Sequence, residues 1–306
     1  MSNRRSREGL TVVITGASSG FGKGIALRLA EEGANVVLAA RRTYLIEGMA
    51  QEIGPNAIAV TTDVSKEEDM SRLTETALSA FGRLDVWINN AGLGALGSFT
   101  EIPLRDQLRM VETNLFGMMI GSRCALRHFK ETRHGTLINM SSFISKVPMP
   151  FGAVYSATKR GIAGLTAGLH QEMEAEGYDD IHISSVHPWV TDTPWTTHAG
   201  NYTGHQIDVW PMDDPEIVID TVIGLIGEPA ESVEVGIKSK AVVAGHNVVP
   251  GFTDRMTGLI LWELLQAAPP AENTAGSLHE AIPEGVDVSG GNRDRRRKED
   301  AGKKDD

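Results

Sequence analysis

The sequence predicts an α/β fold in which a doubly wound, mostly parallel sheet of seven strands is covered by helices on both faces. Short runs rich in Val, Ile and Leu alternate with longer segments of helical periodicity, which is typical of a parallel sheet buried on both sides. Right-handed crossovers between parallel strands leave few topologies, and the doubly wound sheet is the commonest of them. The predicted strands are residues 10–16, 35–42, 57–64, 84–92, 135–142, 181–188 and 232–237.

These elements predict a single domain of the Rossmann type over residues 10–266. A flexible tail is expected at 1–9. From residue 267 to 306 the chain is poor in large apolar residues and rich in Gly, Pro and charge, so a disordered tail is predicted there. The amphipathic segment 252–266 just before it predicts a helix that closes the core.

The composition limits the classes of partner. The 306 residues are 41% hydrophobic and 23% charged, which is ordinary for a globular protein. A net charge of −11 argues against a nucleic-acid partner. The single cysteine, Cys124, excludes an intrachain disulfide and fits a reducing compartment. With neither a signal-peptide core nor a run of roughly 20 apolar residues, we expect a cytoplasmic protein that does not span a membrane.

A glycine-rich loop follows the first strand. In "TGASSGFGKGIA" the glycines Gly16, Gly20 and Gly22 have the spacing G-x-x-x-G-x-G between a strand and a helix. Such glycines allow a tight turn and a close approach of a pyrophosphate to the backbone N–H groups at the helix start. The loop therefore predicts a dinucleotide site, with a purely structural turn as the alternative.

The end of the second strand distinguishes between dinucleotides. A ribose 2′-hydroxyl calls for an acidic residue at this position, whereas a 2′-phosphate calls for arginine. The strand ends Ala39-Ala40-Arg41-Arg42 without a carboxylate, so NADP(H) is favoured over NAD(H). Arg41 is the better candidate; one of the two arginines could instead only solvate the next helix.

A tyrosine and a lysine stand four residues apart in a predicted helix of small residues, "AVYSATKRGIAGLTAGL". A nearby ammonium favours the phenolate form, so Lys159 is expected to lower the pKa of Tyr155. The fifth strand ends in Ser141-Ser142, where a hydroxyl could bind the oxygen that the phenol protonates. For the Tyr-Lys pair alone, a tyrosine covered by an aliphatic lysine stem is the simpler interpretation.

Taken together, these motifs resemble the short-chain dehydrogenase/reductase family. The resemblance rests on "TGASSGFG", "NNAG" (89–92), Asn114, "NMSS" followed by "YSATK", and "HPWVTDT" (187–193), and covers about residues 10 to 195. It implies a compact single-domain enzyme with catalytic residues Asn114, Ser142, Tyr155 and Lys159. Tyr155 would be the general acid/base and Ser142 would orient the substrate carbonyl, with Ser141 as the second choice.

The resemblance also implies the cofactor contacts. Asp63 would contact the adenine ring, Asn90 to Gly92 would line the adenosine ribose, and Thr193 would lie near the nicotinamide carboxamide. With Arg41, Tyr155 and Lys159, the implied set is Gly16, Ser18, Gly20, Phe21, Gly22, Asp63, Val64, Asn90, Ala91, Gly92, Pro188, Val190 and Thr193. One departure concerns the residue after Pro188, where the family's usual glycine is Trp189; an indole would narrow the pocket, and would be strained if φ is positive there.

The expected function is NADP(H)-dependent interconversion of a ketone or aldehyde and an alcohol. Two alternatives stay open: a reductase of 3-ketoacyl thioesters, and a non-catalytic dinucleotide sensor or scaffold on the same fold. The predicted substrate region, 189–214, suggests a hydrophobic small-molecule substrate with walls drawn from Phe143, Phe151, Trp195, His198, Tyr202 and Trp210. The small-residue helix after Ala153 and the helix holding Asn114 allow close packing, and the resemblance implies a homodimer or homotetramer through them.

Overall fold

A computed structural model describes residues 7–302, which form nine strands and eleven α-helices, with one π-helical and one 3-10 turn between them. In chain order the strands are β1 (Thr11–Thr15), β2 (Asn35–Ala40), β3 (Ala57–Thr61), β4 (Val86–Asn89), β5 (Ala95–Gly97), β6 (Gly135–Met140), β7 (Ile181–Pro188), β8 (Gly200–Tyr202) and β9 (Ser232–Val235). The helices are α1 (Gly20–Glu31), α2 (Thr43–Ile53), α3 (Glu67–Phe81), α4 (Leu104–Val111), α5 (Gly117–Thr132), α6 (Ala153–Ala175), α7 (Trp195–His198), α8 (Pro215–Gly227), α9 (Ile237–Val248), α10 (Pro250–Ala267) and α11 (Asn292–Gly302).

Seven strands form one sheet in the order β3-β2-β1-β4-β6-β7-β9, and every pairing is parallel. The predicted fold class is therefore confirmed, and all seven predicted strands are present within a few residues of their expected ends. The strand order reverses between β1 and β4. The crevice at the carboxyl ends of these two strands is where an open α/β sheet binds its ligands.

Both faces of the sheet are buried because successive side chains of each strand point to opposite sides. Val12 and Ile14 of β1 pack in a cluster with residues of α1, α2 and α8. Val13 packs in a second cluster with residues of α3, α5 and α6. All five residues of β1 are buried, which explains why this strand has no polar face in the sequence.

A second, smaller sheet was not predicted. It pairs β5 with β8 in parallel, three residues each, and so ties the chain after β4 to the predicted substrate region. These strands are too short, and too rich in glycine, to leave a periodic pattern in the sequence.

The C-terminal segment differs from the prediction. Residues 267–306 were expected to be disordered, whereas the chain lies against the domain well beyond residue 267. Asn201 and Thr274 exchange both backbone hydrogen bonds, at 2.7 and 2.9 Å, and Leu278 is fully buried beside Leu93 and Met110. We call residues 276–292 the strap. Composition missed it because hydrogen bonds, many of them to its backbone carbonyls, and only a few apolar side chains hold it.

The remaining expectations concern the two ends of the domain. Of the predicted N-terminal tail, residues 1–6 lie outside the described residues, and Arg7 is buried with its guanidinium donating to Ile223 O at 3.0 Å. The predicted helix at 252–266 corresponds to α10, of which only Leu261 and Leu265 are buried. No helix among residues 7–302 combines the length and apolarity needed to cross a membrane.

Candidate active site

A cavity of about 300 Å³ opens at the carboxyl edge of the sheet and brings the predicted site residues together. Three of them, Gly22, Asn114 and Lys159, lie behind its wall. The others line it: Gly16, Ser18, Gly20, Phe21, Arg41, Asp63, Val64, Asn90, Ala91, Gly92, Ser142, Tyr155, Pro188, Val190 and Thr193.

The glycine loop is a cradle that side chains would fill. Gly16 has a φ of 68°, and a Cβ built on it would lie 2.9 Å from the Cα of Ala91. A Cβ on Gly22 would overlap the carbonyl oxygen of Gly16 and lie 2.6 Å from Nδ2 of Asn90. The start of α1 therefore approaches the loop closely, and its N-terminal amides favour an anion. This geometry fits the pyrophosphate of a dinucleotide.

Two arginines lie at the end of β2. Arg42 is 8% exposed and donates from Nε to Ser18 Oγ at 3.1 Å and from Nη2 to Ser19 Oγ at 2.6 Å. The other partners of Arg41 and Arg42 are backbone carbonyls, and in the described part of the chain no carboxylate lies within 4 Å of either guanidinium. Burial lowers the pKa of both. Arg42, which the sequence ranked second, contacts the glycine loop directly.

The Asp63 carboxylate is already engaged by neighbouring side chains. Arg109 Nη2 lies 2.6 Å from its Oδ2, and Ser65 donates to Oδ1 at 2.7 Å. Burial raises the pKa of Asp63, but the hydrogen bonds from Ser65 and Arg109 more than offset this, so the pKa lies below its ordinary value. Asp63 is thus held as an anion at the cavity wall. Arg109, which orients it, was not predicted from the sequence.

The two adjacent serines after β6 point in different directions. Ser141 is buried and its hydroxyl donates to the backbone oxygen of Lys159 at 3.0 Å. Both serines line the cavity, and the turn after Ser142 is fixed by Ser145, which donates from Oγ to Ser142 O at 2.7 Å. Because the Ser141 hydroxyl is already engaged by a backbone oxygen, the hydroxyl of Ser142 is the better placed to meet a ligand.

Lys159 lies between Tyr155 and Asn114. Asn114 belongs to a turn of π-helix, Glu112–Phe116, which joins α4 to α5. The Lys159 Nζ donates to Met140 O at 2.8 Å and lies 5.7 Å from the centroid of the Tyr155 ring. Asn114 is fixed by Leu93, whose N–H donates to Oδ1 at 2.7 Å and whose carbonyl accepts from Nδ2 at 2.8 Å. A Cβ on Gly92 would lie 3.5 Å from Asn114 Oδ1 and 3.6 Å from Lys159 Nζ, so both groups sit directly behind the cavity wall.

Burial dominates the ionisation of this pair. It lowers the pKa of Lys159 to about 8, so the amine stays mostly protonated at neutral pH. It raises the pKa of the Tyr155 phenol above its ordinary value of about 10. This direction is opposite to the lowering that the sequence predicted, because burial of the phenol sets its pKa and the Lys159 ammonium donates to a backbone carbonyl.

Trp189 occurs without backbone strain. It is not among the residues with positive φ, and its indole packs against Phe143 with ring centroids 4.4 Å apart. Its Nε1 donates to Pro211 O at 2.8 Å. The indole therefore forms part of the cavity wall, and the strain that a glycine-requiring backbone would impose is absent.

Half of the predicted aromatic wall surrounds the cavity. Phe143, Trp195 and His198 line it, and the Trp195 ring lies 5.3 Å from that of Tyr155. The other three do not line it, since each has a different partner. The Tyr202 hydroxyl donates to the Asp106 carboxylate, Phe151 stacks on Trp262, and Trp210 lies against Arg296.

Comparison with known proteins agrees with this geometry. The chain is 34% identical over 269 residues to an uncharacterized oxidoreductase of Bacillus subtilis, covering 85% of this chain and 74% of the relative. Among solved structures, a 3-ketoacyl-(acyl-carrier-protein) reductase from Brucella melitensis complexed with NADH superposes with a TM-score of 0.69 at 30% identity, covering 76% of this chain and all of that one. An alcohol dehydrogenase from Thermococcus sibiricus complexed with 5-hydroxy-NADP gives 0.64 at 26% identity, over 74% of this chain and 97% of that one.

The family profile described as short chain dehydrogenase matches residues 10–202. That range holds the glycine loop, the two serines, the Tyr-Lys helix and the segment after β7. With the fold and the arrangement of the cavity, it follows that this chain belongs to the short-chain dehydrogenase family of oxidoreductases, whose structural neighbours bind a nicotinamide dinucleotide.

Proposed function

We propose that this protein is an NADP(H)-dependent oxidoreductase that interconverts a ketone or aldehyde and an alcohol. One observation carries the proposal: a single cavity has a phosphate cradle at one end and the hydroxyls of Ser142 and Tyr155 at the other. A dinucleotide sensor needs the cradle but has no use for a buried lysine behind a tyrosine hydroxyl, so the arrangement favours an enzyme.

The chemistry divides between the cofactor and the protein. A bound nicotinamide supplies or accepts the hydride. Ser142 Oγ donates a hydrogen bond to the substrate oxygen, and Tyr155 Oη gives that oxygen its proton in the direction of reduction. The raised pKa of Tyr155 keeps the phenol protonated beforehand. The Lys159 ammonium then stabilises the phenolate that forms, since a nearby cation favours the charged form.

The choice of NADP(H) is supported by the arginines at the end of β2. Arg41 and Arg42 are both largely removed from water and have only neutral oxygens as partners. A buried cation with no directly bonded anion is unfavourable. The nearby Asp63 carboxylate acts on Arg41 without pairing with it, and a 2′-phosphate would give both arginines a directly bonded anion. A ribose 2′-hydroxyl would not.

The substrate is proposed to be hydrophobic. The cavity is lined by Trp195, which packs against the Tyr155 ring, by Phe143 and Trp189, which pack against each other, and by Leu261 of α10. A carbonyl compound with an apolar body would bury that body against the rings while its oxygen reaches the two hydroxyls. A 3-ketoacyl thioester is the rival substrate, and it is distinguished by the same assay.

We also propose that the protein assembles as a homodimer or homotetramer. Apolar side chains are exposed on α4, on α5 and in the π-helical turn between them: Leu104, Leu108, Phe116 and Met119, each between 47% and 68% exposed. The small residues Gly164 and Gly168 of α6 have no atom within 4 Å of a built Cβ, which leaves space for another helix.

The test is a panel of carbonyl compounds followed by NADPH absorbance. We expect NADPH oxidation with apolar ketones or aldehydes, and little with short polar ones. If 3-ketoacyl thioesters were turned over in preference to free ketones, they would replace hydrophobic ketones and aldehydes as the proposed substrate class. No binding of any nicotinamide dinucleotide, measured by fluorescence titration, would reject the function.

A further inference from the structure

The strap follows the outer rim of the cavity. Three of its residues, Ser277, Ala281 and Ile282, line the cavity beside Arg41 and Arg42. The strap therefore forms part of the cavity wall beside the two arginines. The strap runs from the Asp63 end of the site to the glycine loop, which is the part of the site where the adenosine and the pyrophosphate of a dinucleotide would lie.

Near the first end of the strap, the guanidinium of Arg41 holds three consecutive carbonyls. Its Nη2 donates to Ser277 O at 2.6 Å, and its Nη1 donates to Leu278 O at 3.3 Å and to His279 O at 3.2 Å. Arg109 Nε also donates to Leu278 O, at 3.2 Å. The strap is therefore held by groups that belong to the wall of the cofactor site.

The middle of the strap is held by the glycine loop and its neighbours. Arg42 Nη1 donates to the carbonyls of Glu284 and Gly285, at 3.0 and 3.2 Å. The backbone N–H of Gly20, at the start of α1, donates to Asp287 O at 2.9 Å. The strap thus crosses the site from the arginine end to the phosphate cradle.

The far end of the strap is fixed by a single buried carboxylate. Asp192, 2% exposed, accepts hydrogen bonds from Ser289 Oγ at 3.1 Å, from the backbone and Nδ2 of Asn292 at 3.0 and 2.9 Å, and from the backbone of Arg293 at 3.1 Å. Asp192 precedes Thr193, one of the residues that line the cavity.

The hold on the strap is almost entirely polar. Leu278 is the one fully buried hydrophobic side chain of the strap, and Val288 is partly buried against the core. A segment with few buried apolar contacts opens at a small fraction of the free energy of global unfolding. The strap can therefore open while the domain stays folded.

We propose that the strap is a closing element of the dinucleotide site, so that the cofactor enters and leaves only when residues 276–292 lift from the rim. The inference rests on the proposed dinucleotide function. It assigns to the C-terminal segment control of access to the arginines and the helix start that would face the cofactor phosphates, because strap carbonyls accept from these groups in this structure.

The experiment measures NADPH dissociation by stopped-flow fluorescence displacement in four proteins: the full chain, a truncation after Ala275, the double variant Ser289→Ala/Asn292→Ala, and the control Glu280→Ala. Glu280 is an exposed strap residue. We expect the dissociation rate to rise at least tenfold in the truncation and at least threefold in the double variant, and to change less than twofold in the control. Hydrogen exchange of residues 276–292 in the full chain should slow when NADPH is added.

The outcomes separate the two proposals. If no nicotinamide dinucleotide binds the full chain, the proposed function fails, and the strap proposal fails with it. If NADPH binds but leaves at the same rate from every variant, the strap proposal alone is overturned. Tighter binding to the truncation without faster release would also overturn it, because the strap would then exclude the cofactor. Should the truncation not fold by circular dichroism, the double variant decides.

Discussion

Removal of Arg41 or Arg42 should weaken NADPH binding much more than NADH binding. Hydrogen bonds to charged groups contribute about 1.5–3 kcal/mol each. Since 1.4 kcal/mol corresponds to a factor of ten, Arg41→Ala and Arg42→Ala should each raise the Kd of NADPH by roughly 10- to 150-fold. Arg42, at 8% exposure and in contact with Ser18 and Ser19, should give the larger effect.

The comparison with NADH separates the loss of a phosphate partner from a general disturbance. Both arginines also donate to carbonyls of the strap, and a loosened strap should weaken the binding of NADPH and of NADH by the same factor. Fluorescence titrations of NADPH and NADH give the ratio of the two Kd values for each variant. Arg123→Ala, an exposed arginine of α5 paired with Glu67, makes the same change in net charge away from the cavity and should leave the ratio unchanged. Equal weakening of NADPH and NADH in both variants would refute the assignment.

Two further predictions concern stability. Gly22→Ala should lower the free energy of unfolding, measured by denaturant titration, by about 2 kcal/mol or more, because the new Cβ would overlap the carbonyl oxygen of Gly16. The control Gly48→Ala in α2, where no atom lies within 4 Å of a built Cβ, should raise the free energy of unfolding by about 0.5–1 kcal/mol. Similar effects at the two sites would contradict the geometry of the glycine loop. Asp85 accepts from Arg83 and from the Thr11 N–H at 2.8 Å; burial raises its pKa, yet these bonds hold the pKa below its ordinary value. Its contribution should be complete above about pH 4 and be lost as pH falls through the folded-state pKa. Asp85→Asn should thus cost about 1–3 kcal/mol near neutrality and much less in acid, and a loss that does not vary with pH would count against it.

The strands could be predicted because a parallel sheet buried on both faces leaves continuous apolar runs, of which β1 is an example with every residue buried. The strap could not, since the groups that hold it are mostly backbone carbonyls and amides, which every sequence has. Composition reports how much apolar surface a segment can bury, and Leu278 alone is too small a signal.

The candidate site, like the fold, could be predicted only in part from the sequence. Tyr155 and the glycine loop were found from spacing and Ser142 from the family resemblance, and all of them line one cavity. The role of Arg109 depends on a contact with Asp63 across 46 positions of the chain, which no local pattern reveals. The pKa of Tyr155 was predicted in the wrong direction because it depends on burial and on where Lys159 Nζ points, and neither can be read from residue spacing.

The most direct measurement of the central claim compares Tyr155→Phe with the wild-type chain on the best carbonyl substrate of the panel. If Tyr155 Oη delivers the proton, kcat should fall by about 10²- to 10⁴-fold, while the Kd of NADPH stays within a few-fold. The control Tyr178→Phe removes the hydroxyl of a tyrosine that lies against Lys130 and Arg133, and it should change neither kcat nor Kd. Turnover that survives in Tyr155→Phe with NADPH bound would show that this hydroxyl is not the proton donor.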